Sequence, residues 1–185
     1  MDLCRGQALE AELCGDLSCP VETYLTMIGL KTGALFRGAC QAGARLGGGT
    51  QHQRRSISAF AEHLGLAFQM HDDLLPYVSD EYATGKSGFS DTVNARPTFP
   101  VLLGYGSGSA RVRKGFESAL SGRLPAVDAF WVLRDLVVST GALDAARVEA
   151  TAQAELAKKW LGELPQTPAS AVLAAIADQS VNRDR

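Results

Sequence analysis

The sequence predicts an all-α fold on two observations. Apolar residues recur at helical spacing along nearly the whole chain, and no run of strict apolar–polar alternation is long enough to build a sheet. A third observation concerns size: 185 residues, 46% of them hydrophobic and 21% charged, suit one globular domain over 1–185 with a real core.

The elements follow from their punctuation. A short helix is expected over about 5–14. GDLSCP follows it, and Pro20 there suits the first turn of a long helix running to about Leu46. Gly47, Gly48 and Gly49 stop that helix, and a second long one runs from Gln51 toward Tyr77. The polar stretch SDEYATGKSGFSDTVNARPTFP reads as a loop. Helices are then expected near 99–105, 109–121, 125–139, 142–163 and 168–180, separated by Gly and Pro signals. Trp131 and Trp160 fall in apolar helical patterns and read as core or interface residues.

Charge and cysteine usage exclude several classes. A formal net charge of −2 leaves no overall basic footprint for nucleic acid or an anionic membrane. Cys4, Cys14, Cys19 and Cys40 form no CxxC pair, and the histidines at 52, 63 and 71 lie away from them, so the thiols read as reduced rather than as a zinc site. No apolar run approaches the roughly 20 residues of a membrane helix, and the N-terminus lacks a signal-peptide layout. The expected address is cytoplasmic.

Two placements of charge on apolar helical faces stand out. Lys31 stands three and four residues from Met27, Ile28, Ala34 and Leu35, a face that should point inward. A buried ammonium there must snorkel, meet a carboxylate, or line an anion-binding cavity. In FAEHLGLAFQMHDD, Leu64, Ala67 and Phe68 build an apolar stripe, Gln69 precedes Asp72 and Asp73 by one turn, and the two acids close the helix at the end its dipole disfavours. Adjacent anions repel unless a cation compensates, and a hard ion such as Mg²⁺ with oxygen ligands is one such cation. The alternative is a solvated helix end with local caps or salt bridges. Pro76 cannot donate to the Asp72 carbonyl, so the helix should kink or end beside the pair. His71 reads as a surface or helix-end residue, with a role as donor to the pair as the other option.

In order, GQALEAEL, YLTMIGLKTGALFRGACQAGARLGG, FAEHLGLAFQMHDDLLPYVSD, GKSGFSDTVNARPTFPVLL and the tail from Val137 to Asp178 resemble the C-terminal portion of the trans-isoprenyl diphosphate synthases, the polyprenyl synthetase family. The resemblance implies a helical bundle of the isoprenoid synthase type lacking the N-terminal helices, and a prenyltransferase-type role in isoprenoid biosynthesis. It assigns Lys31 and Thr32 to the allylic diphosphate. Gln69, Asp72 and Asp73 fall on the second Asp-rich motif, whose carboxylates hold Mg²⁺. Lys86 and Arg96 fall where the family places basic diphosphate contacts, and Gln7 and Glu10 where it has a Gly-Gln and an acid.

Three departures qualify it. The third acid of the Asp-Asp-x-x-Asp motif is Pro76, for which Asp80, a turn further on, compensates only if the chain folds back; Arg96 replaces a lysine; and the first Asp-rich motif, expected upstream of Gln7, is not found in this sequence, with Arg54 and Arg55 wrongly placed to stand for its arginines. Expected partners are an allylic diphosphate and either further copies of this chain or a protein carrying the first motif. The alternatives are a non-catalytic regulatory subunit of a prenyl diphosphate synthase and a terpene cyclase derived from the family.

Overall fold

A computed structural model describes residues 1–78 and 86–183, the side chains of 86–89 excepted. Among the described residues every regular element is helical: α1 (Asp2–Leu13), α2 (Val21–Ile28), a π-helical turn (Gly29–Gly33), α3 (Ala34–Leu46), α4 (Gln51–Asp72), α5 (Leu75–Val78), α6 (Lys86–Val93), α7 (Phe99–Ser107), α8 (Ala110–Leu120), α9 (Ala126–Ser139), α10 (Ala142–Leu161) and α11 (Pro168–Asn182). The expected α class holds, and the glycine and proline signals delimit most helices to within two residues. One expected loop is part helix: α6 occupies 86–93.

The chain folds as two compact units. The first comprises 1–8, 25–71 and 149–183, the second 9–24 and the described residues of 72–148. In the first unit the core is built by α4, α10 and α11, with Ile57, Phe60, Ala61, Leu64, Ala157, Leu161 and Ala177 buried and Phe36, Cys40 and Leu173 packed against them. Thr167 and Ser170 form a reciprocal capping box that starts α11 at Pro168. In the second unit Leu17, Tyr77, Val101, Phe116, Phe130, Leu133 and Val137 form the core. The Tyr77 and Phe130 rings stack there at 6.0 Å.

The expected single helix from Pro20 to Leu46 is interrupted by the π turn. A π turn uses more residues per turn than an α-helix, so everything beyond it falls one position behind the α-helical phase. The consequence corrects the face assigned to Lys31. Met27 and Ile28 are buried as expected, but Leu35 is 70% exposed. Phe36 takes the inward place instead, its ring 5.5 Å from that of Phe68. None of the thirteen residues of α3 is fully buried, and Leu46 at its end is 91% exposed.

The second long helix ends at Asp72 rather than running on to Tyr77, the break that Pro76 dictates. Pro76 sits at the second position of the short α5, where a missing N–H costs nothing, and Leu74, Leu75 and Tyr77 beside it are buried. One further expectation is corrected in part: His71 stands at a helix end, but not at the surface. His71 is buried, its Nε2–H donating to the Arg183 carbonyl at 2.8 Å, because the end of the chain passes over the last turn of α4. Trp131 and Trp160, read as core or interface residues, are 41% and 39% exposed. All four cysteines are free of disulfides.

Candidate functional site

Two groups of residues carry the chemistry singled out by the sequence, one in each unit. In the first unit, the π turn presents Lys31 and Thr32, and α4 presents Gln69. Thr32 Oγ1 donates to Gln69 Oε1 at 2.9 Å, which joins two residues 37 positions apart that the sequence singles out independently. Lys31 is half-buried, between the snorkelling and enclosed extremes.

The π turn is held from two sides by glycines. A Cβ on Gly6 would lie 2.7 Å from Lys31 Cα and would also collide with the Lys31 amide nitrogen. A Cβ on Gly65 would lie 2.7 Å from Gly33 Cα and 3.3 Å from Gly33 N. Both helices therefore approach the turn backbone to backbone, which only glycine permits. Neither glycine stands out in the sequence, because a helical glycine at a close crossing carries no local signal. The Gly-Gln pair of the resemblance is the nearest hint for Gly6.

In the second unit the two acids have different surroundings. Asp73 Oδ2 accepts from the Tyr24 hydroxyl at 2.5 Å and from the Phe99 backbone N–H at 2.8 Å. Phe99 is the first residue of α7, and Thr98 makes no side-chain cap there, so Asp73 supplies the anionic cap from another element. Thr98 Oγ1 instead meets the Tyr77 hydroxyl at 3.2 Å. Tyr24 is fully buried, and its ring stacks on Phe99 at 5.6 Å. Burial and then the charge of Asp73, with Asp91 and Asp72 adding to it, push the Tyr24 hydroxyl well above the usual tyrosine range, so it stays protonated and donates. Asp72, half-buried at the last position of α4, is the other half of the pair.

The remaining expected site residues are placed as follows. The Arg96 guanidinium lies 3.3 Å from Asp91 Oδ1 and 3.9 Å from Glu10 Oε1, an acid pair that occupies it. It follows Ala95, which adopts φ +47°, and Ala95 in turn accepts the Gly15 N–H at 2.8 Å. Lys86 opens α6. Asp80 lies outside the described residues.

Among the described residues no three His, Cys, Asp or Glu side chains converge as a metal-binding group. Two adjacent carboxylates, one of them already accepting two hydrogen bonds, match a hard ion that draws most of its shell from water and substrate phosphate, the usual habit of Mg²⁺. They do not match a closed, all-protein metal cage.

Residues 1–130 match the family model for polyprenyl synthetase. The chain belongs to the polyprenyl synthetase family. Among its relatives, the short chain isoprenyl diphosphate synthase of Methanothermobacter thermautotrophicus is 33% identical over 182 residues, covering 98% of this chain and 55% of the relative. The octaprenyl diphosphate synthase of Escherichia coli K12 is 30% identical, covering 99% and 56%. A polyprenyl synthase of Caulobacter crescentus CB15, solved in complex with calcium and isoprenyl diphosphate, superposes with a TM-score of 0.91 at 30% identity over all of this chain and 56% of its own. A decaprenyl diphosphate synthase from Rhodobacter capsulatus gives 0.90 at 28% identity, covering 100% and 57%. The isoprenoid synthase-type fold is thus established for this polyprenyl synthetase family member, which spans just over half the length of the relatives it matches.

Proposed function

We propose that this chain binds an allylic isoprenyl diphosphate as one part of a prenyl-transferring assembly. The observation that carries the reading is the Thr32–Gln69 hydrogen bond, which locks together the two motifs that the resemblance assigns to the diphosphate. Lys31 supplies a fixed positive charge for the departing diphosphate, Thr32 and Gln69 orient it, and Asp72 and Asp73 would hold Mg²⁺. When bound, that ion supplies further neutralisation of the diphosphate. Charge stabilisation of a leaving group favours C–O ionisation; the double bond of a second isoprenyl diphosphate then attacks the allylic cation to form a C–C bond, and the new cation loses a proton, taken up by the departed diphosphate, to restore a double bond.

Asp73 acts through its neighbours as much as through a metal: tied to Tyr24 and to the start of α7, it fixes where Asp72 stands. Lys86 and Arg96 are the remaining candidate phosphate contacts, Arg96 once its hold on Asp91 and Glu10 is exchanged. The first Asp-rich motif, not found within residues 1–185, comes in this reading from a partner protein that carries it. The exposed face of α3, with Leu35 and Leu46, offers an apolar surface for that association.

A second reading, a non-catalytic subunit that docks on a complete synthase, is favoured by Pro76 in place of the third acid. Calorimetric titration of a non-hydrolysable allylic diphosphate analogue, with and without Mg²⁺, separates the two. Mg²⁺-dependent binding that weakens at least tenfold in Asp72→Asn and in Lys31→Ala is the expected outcome. Undetectable binding under both conditions overturns the diphosphate reading and leaves the docking subunit.

A further inference from the structure

At the opposite end of α4 from Gln69 lies a second concentration of charge. Arg45 in the last turn of α3 and Arg54 and Arg55 in the first five residues of α4 line a cavity of about 440 Å³, together with Gln41, Gln51 and Ser58. All three arginines are exposed, and among the described residues none of them has a carboxylate partner.

The placement is electrostatically unfavourable by itself. A guanidinium keeps its charge at every relevant pH, so three around one cavity repel. Arg45 gains from the C-terminal end of α3, but Arg54 and Arg55 stand at the positive end of a 22-residue helix whose first turn contains no acid. A chain of net charge −2 has carboxylates to spare for such a patch and places none there.

The scaffold beneath the charges is rigid. Gln41 Nε2 donates to Ser58 Oγ at 2.9 Å and ties α3 to α4 across the cavity floor. The connecting turn is closed by Gly47 N–H to Gly43 O at 2.9 Å and Gly49 N–H to Ala44 O at 2.8 Å. Thr50 and Gln53 exchange hydrogen bonds at 2.8 and 3.2 Å, a reciprocal cap that fixes the start of α4.

We propose that Arg45, Arg54 and Arg55 form a separate anion site that takes a phosphate-type polyanion, a diphosphate or the headgroup of a phosphate-bearing lipid. Bidentate guanidinium–phosphate pairing is the contact that this geometry and residue type favour. Arg55 and Gln69 are separated along α4 by roughly 21 Å at 1.5 Å per residue, so the site is distinct from the one proposed above and independent of that reading.

The test uses the full chain carrying Lys31→Ala, in metal-free buffer, titrated with sodium pyrophosphate and separately with phosphatidic-acid and phosphatidylcholine vesicles. Binding of pyrophosphate or of phosphatidic-acid vesicles, at least tenfold weaker in Arg54→Gln/Arg55→Gln and weakened by added salt, is expected. Whichever of the two probes binds more tightly names the source of the anion, and either supports the site. Arg45→Gln, at a position where a surface change leaves folding intact, is expected to weaken binding several-fold and guards against a folding defect in the double variant. Equal affinity in the parent and the double variant, or no binding of either probe, overturns the proposal and makes the arginines solvated surface charges. Failure of Lys31→Ala to alter allylic diphosphate binding would count against the first site alone.

Discussion

Replacing Gly65 with alanine tests the most demanding contact in the molecule. The new methyl would sit 2.7 Å from Gly33 Cα, where ordinary contact needs about 3.4–4 Å, so α4 and the π turn must part by about 1 Å at a backbone-to-backbone crossing. Forcing extra volume into such packing costs about 1–3 kcal/mol, while alanine in a helix interior returns about 1 kcal/mol relative to glycine. Gly38→Ala isolates the second quantity, since Gly38 is a helical, exposed glycine with nothing within 4 Å of its added Cβ. The difference between the two variants is then the crossing alone, about 2 kcal/mol, or about 4–8 °C in Tm for a chain of this size. Differential scanning calorimetry reads the stability. Titration of the diphosphate analogue reads the site, with at least a tenfold loss expected for Gly65→Ala, because the Thr32–Gln69 bond spans the same crossing. Equal Tm for the two alanine variants would refute the close approach, and with it the idea that glycines set the position of Lys31 and Thr32.

Other expectations follow from the second unit. Tyr24→Phe removes the hydroxyl that donates to Asp73, and should cost about 1.5–3 kcal/mol, the range for a hydrogen bond to a charged group, seen as a lower urea midpoint. Asp73→Asn should likewise destabilise through the α7 cap, and Asp72→Asn should weaken Mg²⁺-dependent binding; unchanged stability in Asp73→Asn would contradict the cap. Because the folded state raises the Tyr24 pKa above its unfolded value of about 10, its contribution is complete below that pH and is lost as pH rises beyond it. Tyrosinate absorbance from Tyr24 should therefore appear together with unfolding rather than before it. Ala95→Gly relieves a positive φ and should stabilise by about 1 kcal/mol, measured by denaturant titration; a loss of stability would mean that the methyl group is packed rather than strained.

Helical periodicity, with Gly and Pro at the boundaries, determined the fold class and most helix limits, since both signals act over a few residues. The order of Lys31-Thr32, Gln69 and Asp72-Asp73 likewise pointed to the family, and Pro76 alone predicted the end of α4. Only the tertiary structure decided that a π turn interrupts the first long helix and turns Leu35 outward in favour of Phe36, since a register shift has no cost visible in local propensity. It also decided that Asp73 caps α7 through Phe99 and answers Tyr24, and that His71 is covered by the backbone of Arg183. Those partners lie 26, 49 and 112 residues away along the chain. Hydrogen bonds and close crossings depend on where distant segments are brought by packing, and a sequence pattern records only the tendencies of neighbours.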